Sequence, residues 1–173
     1  LQKPFVDYVI TGGDFDVSLA QLADHLAGKG NMPAGVYYRE KIKSKAGEFT
    51  EIKNTGKPEL WKDLDSLPFI DRDLTRWKIY GEAYLYRPCA YILTGRGCGR
   101  EGHETGGVCT FCIWQHAFWQ RKARLRSAKN VADEIEILVK KYRVYEVFDD
   151  NESGAVWSGK WLEEFLIEIE KRG

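Results

Sequence analysis

The sequence carries no surplus of charge of either sign: 26 Lys and Arg stand against 26 Asp and Glu. Without a net field there is no general pull toward nucleic acid or an anionic membrane, so a partner of that kind needs a local patch. No apolar run reaches the length of a bilayer span. Residues 1–5 lack a basic stretch followed by an apolar core, so no secretory signal is read there. We therefore expect a cytoplasmic protein without a membrane span. Histidine is scarce, and His25 and His116 have no partner set, which leaves His103 as the one histidine of interest.

What is present is the composition of a soluble globular chain, 173 residues long, enough for one domain or two small ones. It opens on Leu1 rather than Met and leads almost directly into an apolar strand, which reads as a piece of something longer.

Residues 6–10 are that strand, ending in Thr11-Gly12-Gly13; Asp16 then caps a helix to about Ala27, with Leu19, Leu22, Ala23 and Leu26 as its buried stripe. Residues 36–39 read as a second strand, and Gly47 as the turn of a hairpin returning through 49–52. A connector occupies 54–87, rich in Gly, Pro and alternating charge, with Leu64, Leu67, Pro68 and Phe69 as apolar anchors.

From 88 to 173 the pattern alternates. A strand at 90–94 precedes a helix capped by Ser127, with Val131, Ile135, Leu138, Val139 and Tyr142 on one face. A strand at 144–148 precedes a helix from about Ser158, with Trp161, Leu162, Phe165, Leu166 and Ile169 on its apolar side. This order predicts an α/β fold with a parallel sheet, whose working residues sit where strands end. The loop from Gly95 and the run Asp149-Asp150-Asn151-Glu152 both follow strands, so they are expected at one edge.

Three of the four cysteines, Cys98, Cys109 and Cys112, fall within fifteen positions. With no secretory signal, that crowding points to a metal or redox site rather than to disulfides. Cys109-Thr110-Phe111-Cys112 lets two sulfurs converge on one centre, while Cys98 returns across a flexible loop. One centre that suits this set is an iron–sulfur cubane on three thiolates, its fourth iron open to the amine and carboxylate of a small molecule. Another is a structural zinc on Cys98, His103, Cys109 and Cys112. A third reading is a nucleic-acid adaptor, with Arg121, Lys122, Arg124 and Arg126 beside Phe118 and Trp119; the neutral total charge stands against it. Cys89, at a strand start after Pro88, reads as a small buried apolar residue.

Arg96-Gly97-Cys98 at a strand end, followed by a Cys-x-aromatic-Cys pair, resembles the radical S-adenosylmethionine superfamily. The connector Leu64-Asp65-Ser66-Leu67-Pro68-Phe69-Ile70-Asp71-Arg72-Asp73-Leu74 and the strand end Phe148-Asp149-Asp150 resemble the branch preceded by a cobalamin-binding domain. The resemblance runs strongly from about Leu64 to Glu152 and more loosely before that. Family members usually have three residues between the first two cysteines; here ten separate Cys98 from Cys109. Glycines and a threonine among 99–108 let that loop fold out at small entropic cost.

The resemblance implies the remnant of a doubly wound cobalamin-type domain over 1–53, a connector over 54–87, and the first βα units of a partial (β/α) barrel over 88–173. It implies a [4Fe-4S] cluster on Cys98, Cys109 and Cys112 that reductively cleaves S-adenosylmethionine and generates a 5′-deoxyadenosyl radical. Phe111 then lies near the adenine, and Asp149, Asp150, Asn151 and Glu152 offer acceptors to the amino end of S-adenosylmethionine. Gly12 and Gly13 match a Gly-acidic loop that lies near the corrin ring in related enzymes. The Asp-x-His-x-x-Gly motif carrying the cobalt-binding His is absent from this chain, so cobalamin is an expectation about the full-length parent. The implied partners are a small-molecule substrate and a one-electron reductant such as a flavodoxin or ferredoxin.

Overall fold

The structure, a computed structural model, describes residues 1, 3, 5–45, 47–98, 111–113, 118–120, 122–151 and 158–173. The chain is mixed α/β, and it divides into two compact units: residues 1–61 with 118–120, and the described residues from 62 onward apart from 118–120.

The first unit is a three-stranded antiparallel sheet with one helix. Strand β1 (Tyr8–Ile10) pairs with β2 (Val36–Ser44) from Tyr8↔Tyr38 to Ile10↔Val36, and β2 pairs with β3 (Gly47–Asn54) from Tyr37↔Asn54 to Ser44↔Gly47. A strand-helix-strand remnant of a doubly wound sheet would pair β1 with β2 in parallel. The antiparallel register departs from that expectation: the chain that leaves β1 through the helix comes back running the opposite way. The hairpin is also longer than expected. Its strands are mostly solvent-exposed and strongly charged, so they show little of the apolar alternation that marks a half-buried strand.

Helix α1 (Phe15–Leu26) is capped by Asp14, not Asp16. The Asp14 carboxylate makes no capping bond; instead it accepts the Trp61 backbone N–H at 2.6 Å. Of the expected stripe only Leu22 is buried, while Leu19 and Leu26 are more than half exposed. The helix packs through Leu22 and Ser18, in a unit where the side chains of Val36 and Asp14 are fully buried.

The second unit is built on a parallel pair. Strand β4 (Cys89–Ile92) lies beside β7 (Glu146–Asp149), in register from Cys89↔Glu146 to Ile92↔Asp149. Helix α2 (Ala128–Lys140) connects them, and α3 (Gly159–Glu170) follows β7. Both caps are the serines expected: Ser127 Oγ accepts the Asn130 N–H and Ser158 Oγ accepts the Trp161 N–H, each at 3.1 Å. Ala128, Val131, Ala132 and Leu138 form the buried stripe of α2, and Val131 and Leu138 meet Ala90, Ile92 and Val144 in the core. Burying Val131 and Leu138 stabilises the fold by about 2 kcal/mol each. Val139, expected on this face, is exposed, and so are Leu162 and Leu166 of α3; Trp161 and Phe165 carry the α3 contact. No barrel is formed by the described residues, which show one β-α-β-α unit.

The segment read as a connector is ordered by short turns. Asp63 and Asp71 each accept the N–H two residues on, from Asp65 at 3.1 Å and Asp73 at 3.0 Å, and so start 3-10 turns at Leu64–Ser66 and Arg72–Leu74. A third turn spans Trp77–Ile79. Leu64 and Arg72 are buried, and residues from Lys62 onward pack with the second unit.

Candidate functional site

Because β4 and β7 run parallel with Ile92 opposite Asp149, the chain segments that follow them leave from the same edge. After β4 come Leu93, Thr94 and then β5 (Gly95–Arg96), which pairs antiparallel with β6 (Arg124–Leu125) through Gly95↔Leu125 and Arg96↔Arg124. This small ribbon, not foreseen from the sequence, closes the base of the loop that carries the cysteines. Gly95 makes the closure possible: a Cβ there would stand 2.6 Å from the Arg124 carbonyl oxygen and 2.7 Å from Leu125 Cδ2. Cys98 follows two residues after the ribbon and is half-buried.

Cys98 and Cys112 are thiols outside any disulfide, both half-buried. Phe111, beside Cys112, is 88% exposed, so its ring is not used in packing. Cys109, His103 and Glu152 lie outside the described residues. Among the described residues, which include two of the three expected ligand cysteines, no three His, Cys, Asp or Glu side chains gather at metal-binding range.

At the end of β7 the polar groups form a network with the end of β4. The Thr94 N–H donates to Asp149 Oδ1 at 3.0 Å and the Thr94 hydroxyl to Asp149 Oδ2 at 2.7 Å. The Asn151 N–H donates to Asp149 Oδ1 at 3.2 Å, and Asn151 Nδ2 to Thr94 Oγ1 at 3.3 Å. Asp150 continues the strand ladder, its N–H donating to the Ile92 carbonyl at 2.9 Å, and its side chain is exposed. Asn151 Oδ1 is a buried acceptor with no hydrogen-bond partner among the described residues. The edge thus presents one exposed carboxylate and holds one buried, unsatisfied amide oxygen, while both oxygens of Asp149 are engaged by the chain itself.

A second cluster, also not anticipated, underpins the loop. Glu134 of α2 is buried between two guanidiniums: Arg126 Nη1 is 2.6 Å from Oε2 and Arg72 Nη1 is 3.6 Å from Oε1. Arg126 also donates to the Leu93 carbonyl at 3.0 Å and to Asn130 Oδ1 at 2.7 Å, and its guanidinium lies 5.4 Å from the Phe69 ring centroid. Arg72 donates to the Tyr91 carbonyl at 2.5 Å. Trp161 Nε1 donates to the Arg126 carbonyl at 2.8 Å. The start of the loop, the connector and both helices therefore meet at Arg126, and Arg72 ties strand β4 to the same cluster. The sequence signal was the Arg72 of Ile-Asp-Arg-Asp and a glutamate on the apolar face of a helix, a position that requires a cation.

Of the basic-aromatic run, Trp119 is buried and Arg126 is committed to Glu134, so neither is offered to a nucleic acid; Lys122 is exposed and Arg121 lies outside the described residues. Gly12 and Gly13 are buried in the first unit. The Gly13 N–H donates to the Phe118 carbonyl at 3.2 Å, and a Cβ on Gly13, whose φ is +75°, would stand 2.7 Å from the Glu59 carbonyl oxygen. The close approach that Gly13 permits is to the chain's own backbone. Cys89 is buried, with its Sγ 3.8 Å from the Tyr80 carbonyl oxygen.

Neither a protein-family model, nor a curated protein, nor a solved structure matches the chain.

Proposed function

We propose that this chain is part of a radical S-adenosylmethionine enzyme, in which Cys98, Cys109 and Cys112 hold a [4Fe-4S] cluster and the β4–β7 edge receives S-adenosylmethionine. The observation that carries the reading is the parallel register of β4 and β7, which brings the segment leading to Cys98 and the polar run after Asp149 out at one edge. The donor set agrees with it: soft thiolates suit iron, and three of them leave a cubane with one iron unligated by protein. The β-α-β-α unit is read as the start of a (β/α) barrel, whose full form needs about 200 residues or more.

When bound, the reduced cluster supplies the electron that splits the sulfonium of S-adenosylmethionine, so that a 5′-deoxyadenosyl radical can take a hydrogen atom from a small-molecule substrate. The chain's own part is to bind and orient. The exposed Asp150 carboxylate is an acceptor for an ammonium, and Asn151 Oδ1 is an unsatisfied acceptor buried at the same strand end. Asp149 acts through Thr94 and the Asn151 N–H, fixing the direction in which that run leaves the strand. Phe111, exposed between two ligand cysteines, offers its ring and backbone to an adenine. An external one-electron reductant of the flavodoxin or ferredoxin type completes the scheme. The space beside Gly13 is filled by Glu59 and Phe118, which does not suit a corrin ring, so no cobalamin step is derived for Gly12 and Gly13.

Anaerobic purification followed by iron and sulfide analysis tests the proposal. Brown protein holding about four irons per chain, lost when Cys98, Cys109 and Cys112 are replaced by Ala, is the expected result. Colourless protein with one zinc overturns it in favour of a structural site that adds His103 to the same cysteines.

A further inference from the structure

We infer that the opposite, N-terminal edge of the β4–β7 pair is a binding site for a small polyphosphate-bearing molecule. One open groove there is lined by Lys78, Arg87, Lys141 and Arg143, with Trp77 and Tyr142 as aromatic walls. The carboxylate that shares it, Asp73, is already held by Lys141 Nζ at 2.6 Å and by the Tyr142 hydroxyl at 3.2 Å. Lys78, Arg87 and Arg143 are exposed, and none forms an ion pair with a carboxylate among the described residues. In a chain whose total charge is zero, four cations around one engaged carboxylate are a local excess of positive charge that favours an anion in the groove.

Arg143 is the sharper observation. It stands just past the end of α2 with φ of +57°, in the left-handed region where glycine is the usual occupant. Glycine would serve the turn at least as well. What arginine adds is a guanidinium at the groove that Arg87 also lines, the Arg87 Nη2 being oriented by a 2.8 Å bond to the Gly81 carbonyl. Planar guanidiniums grip phosphate oxygens in pairs and a lysine adds a point charge, so cations spread along an open groove suit a ligand with several phosphates in series. Pro88 and Arg143 precede the two strands, whose four residues span roughly 13 Å, so the ligand sits apart from the edge where Asp149 lies and does not depend on the cluster proposal.

Calorimetric titration of the full chain with inorganic tripolyphosphate at low ionic strength provides the test, repeated on Arg143→Gly and on Lys78→Ala. The expected result is saturable binding to the unsubstituted chain, weakened roughly tenfold by either substitution, with the melting temperature of Arg143→Gly unchanged or raised. Lys78→Ala changes an exposed side chain and leaves the left-handed turn intact, so the test survives if the other variant folds poorly. Absence of saturable binding, or binding by both variants as tight as that of the unsubstituted chain, overturns the site. Citrate binding as tightly as tripolyphosphate overturns the phosphate assignment.

Discussion

Thr94 and Asp149, fifty-five positions apart in the chain, are joined twice across the ends of β4 and β7, by the Thr94 N–H at 3.0 Å and by its hydroxyl at 2.7 Å. A strand pair of four residues is short, and its terminal residues would fray if only the ladder held them. The two hydrogen bonds fasten the start of the cysteine loop to the start of the run Asp149-Asp150-Asn151. Whatever binds at this edge meets two segments tied to each other by these hydrogen bonds.

That coupling is measurable. Thr94→Val and Asp149→Ala each remove partners from a part-buried network and are expected to cost about 1–3 kcal/mol. In a double-mutant cycle read by urea unfolding, the pair should cost less than the two single variants added together. Strictly additive losses would mean that the two side chains do not stabilise each other.

Glu134 makes a larger demand. Its carboxylate stands between Arg126 and Arg72, all three side chains being at least 89% buried, so Glu134→Gln strands two guanidiniums in the interior. We expect a loss of about 3 kcal/mol or more in thermal unfolding followed by circular dichroism. Glu134→Leu combined with Arg126→Met and Arg72→Met removes the charges together and should recover part of that loss. If the triple change is worse than Glu134→Gln, the cost comes from broken packing and not from uncompensated charge.

Acid should loosen the α2–α3 pair first. Arg172 lies 2.5 Å from Asp133, 3.2 Å from Glu136 and 2.7 Å from Glu168. The Lys129 ammonium, with Arg172, holds Asp133 below its ordinary 3.8; Lys140, with Arg172, holds Glu136 below 4.5; Lys171 and then Arg172 do the same for Glu168. A carboxylate whose folded pKa is depressed stabilises the fold above its ordinary value and loses that contribution as the pH falls through the folded one. The melting temperature should therefore be flat above about pH 5 and fall below about pH 4.5, with a shallower fall in Arg172→Ala. These groups are half-buried and still reached by solvent, so the effect is modest and shrinks in high salt. An identical acid profile for Arg172→Ala would remove the network from the explanation.

What could be read from the sequence follows from how locally each feature is encoded. Ser127 and Ser158 announce their helices because a cap is a contact between neighbours, and Val131 and Leu138 lie on the buried face because a helix repeats every 3.6 residues. The shared edge of β4 and β7 was legible for the same reason, since alternating strands and helices imply a parallel pair. The stripe on α1 was not, because the periodicity of Leu19, Leu22 and Leu26 marks a face without saying whether anything covers it. Asp16 looked like the cap, yet Asp14 occupies that position, with its carboxylate turned to the N–H of Trp61, forty-seven residues away. Ribbon β5/β6 carries no pattern at all in two-residue strands, and Glu134 between Arg72 and Arg126 is a meeting of three distant positions. Long-range pairings of this kind leave no local trace.

Gly95 is where that unread ribbon can be tested. Any side chain at this position points at the backbone of β6, and a carbonyl oxygen cannot swing aside as the end of a flexible side chain can, so Gly95→Ala must push β5 and β6 apart. Stability alone should fall by about 1–3 kcal/mol, the usual cost of overpacking. The sharper consequence lies three residues on: if Cys98 is a cluster ligand, displacing the base of its loop lowers the iron retained after anaerobic reconstitution by more than the loss of folded protein explains. Iron per folded chain should therefore drop in Gly95→Ala and stay at the unsubstituted level in Gly159→Ala, a glycine at the start of α3 with nothing within 4 Å of its Cβ position. Equal retention in the two variants would show that the ribbon holds the loop closed without setting where Cys98 stands.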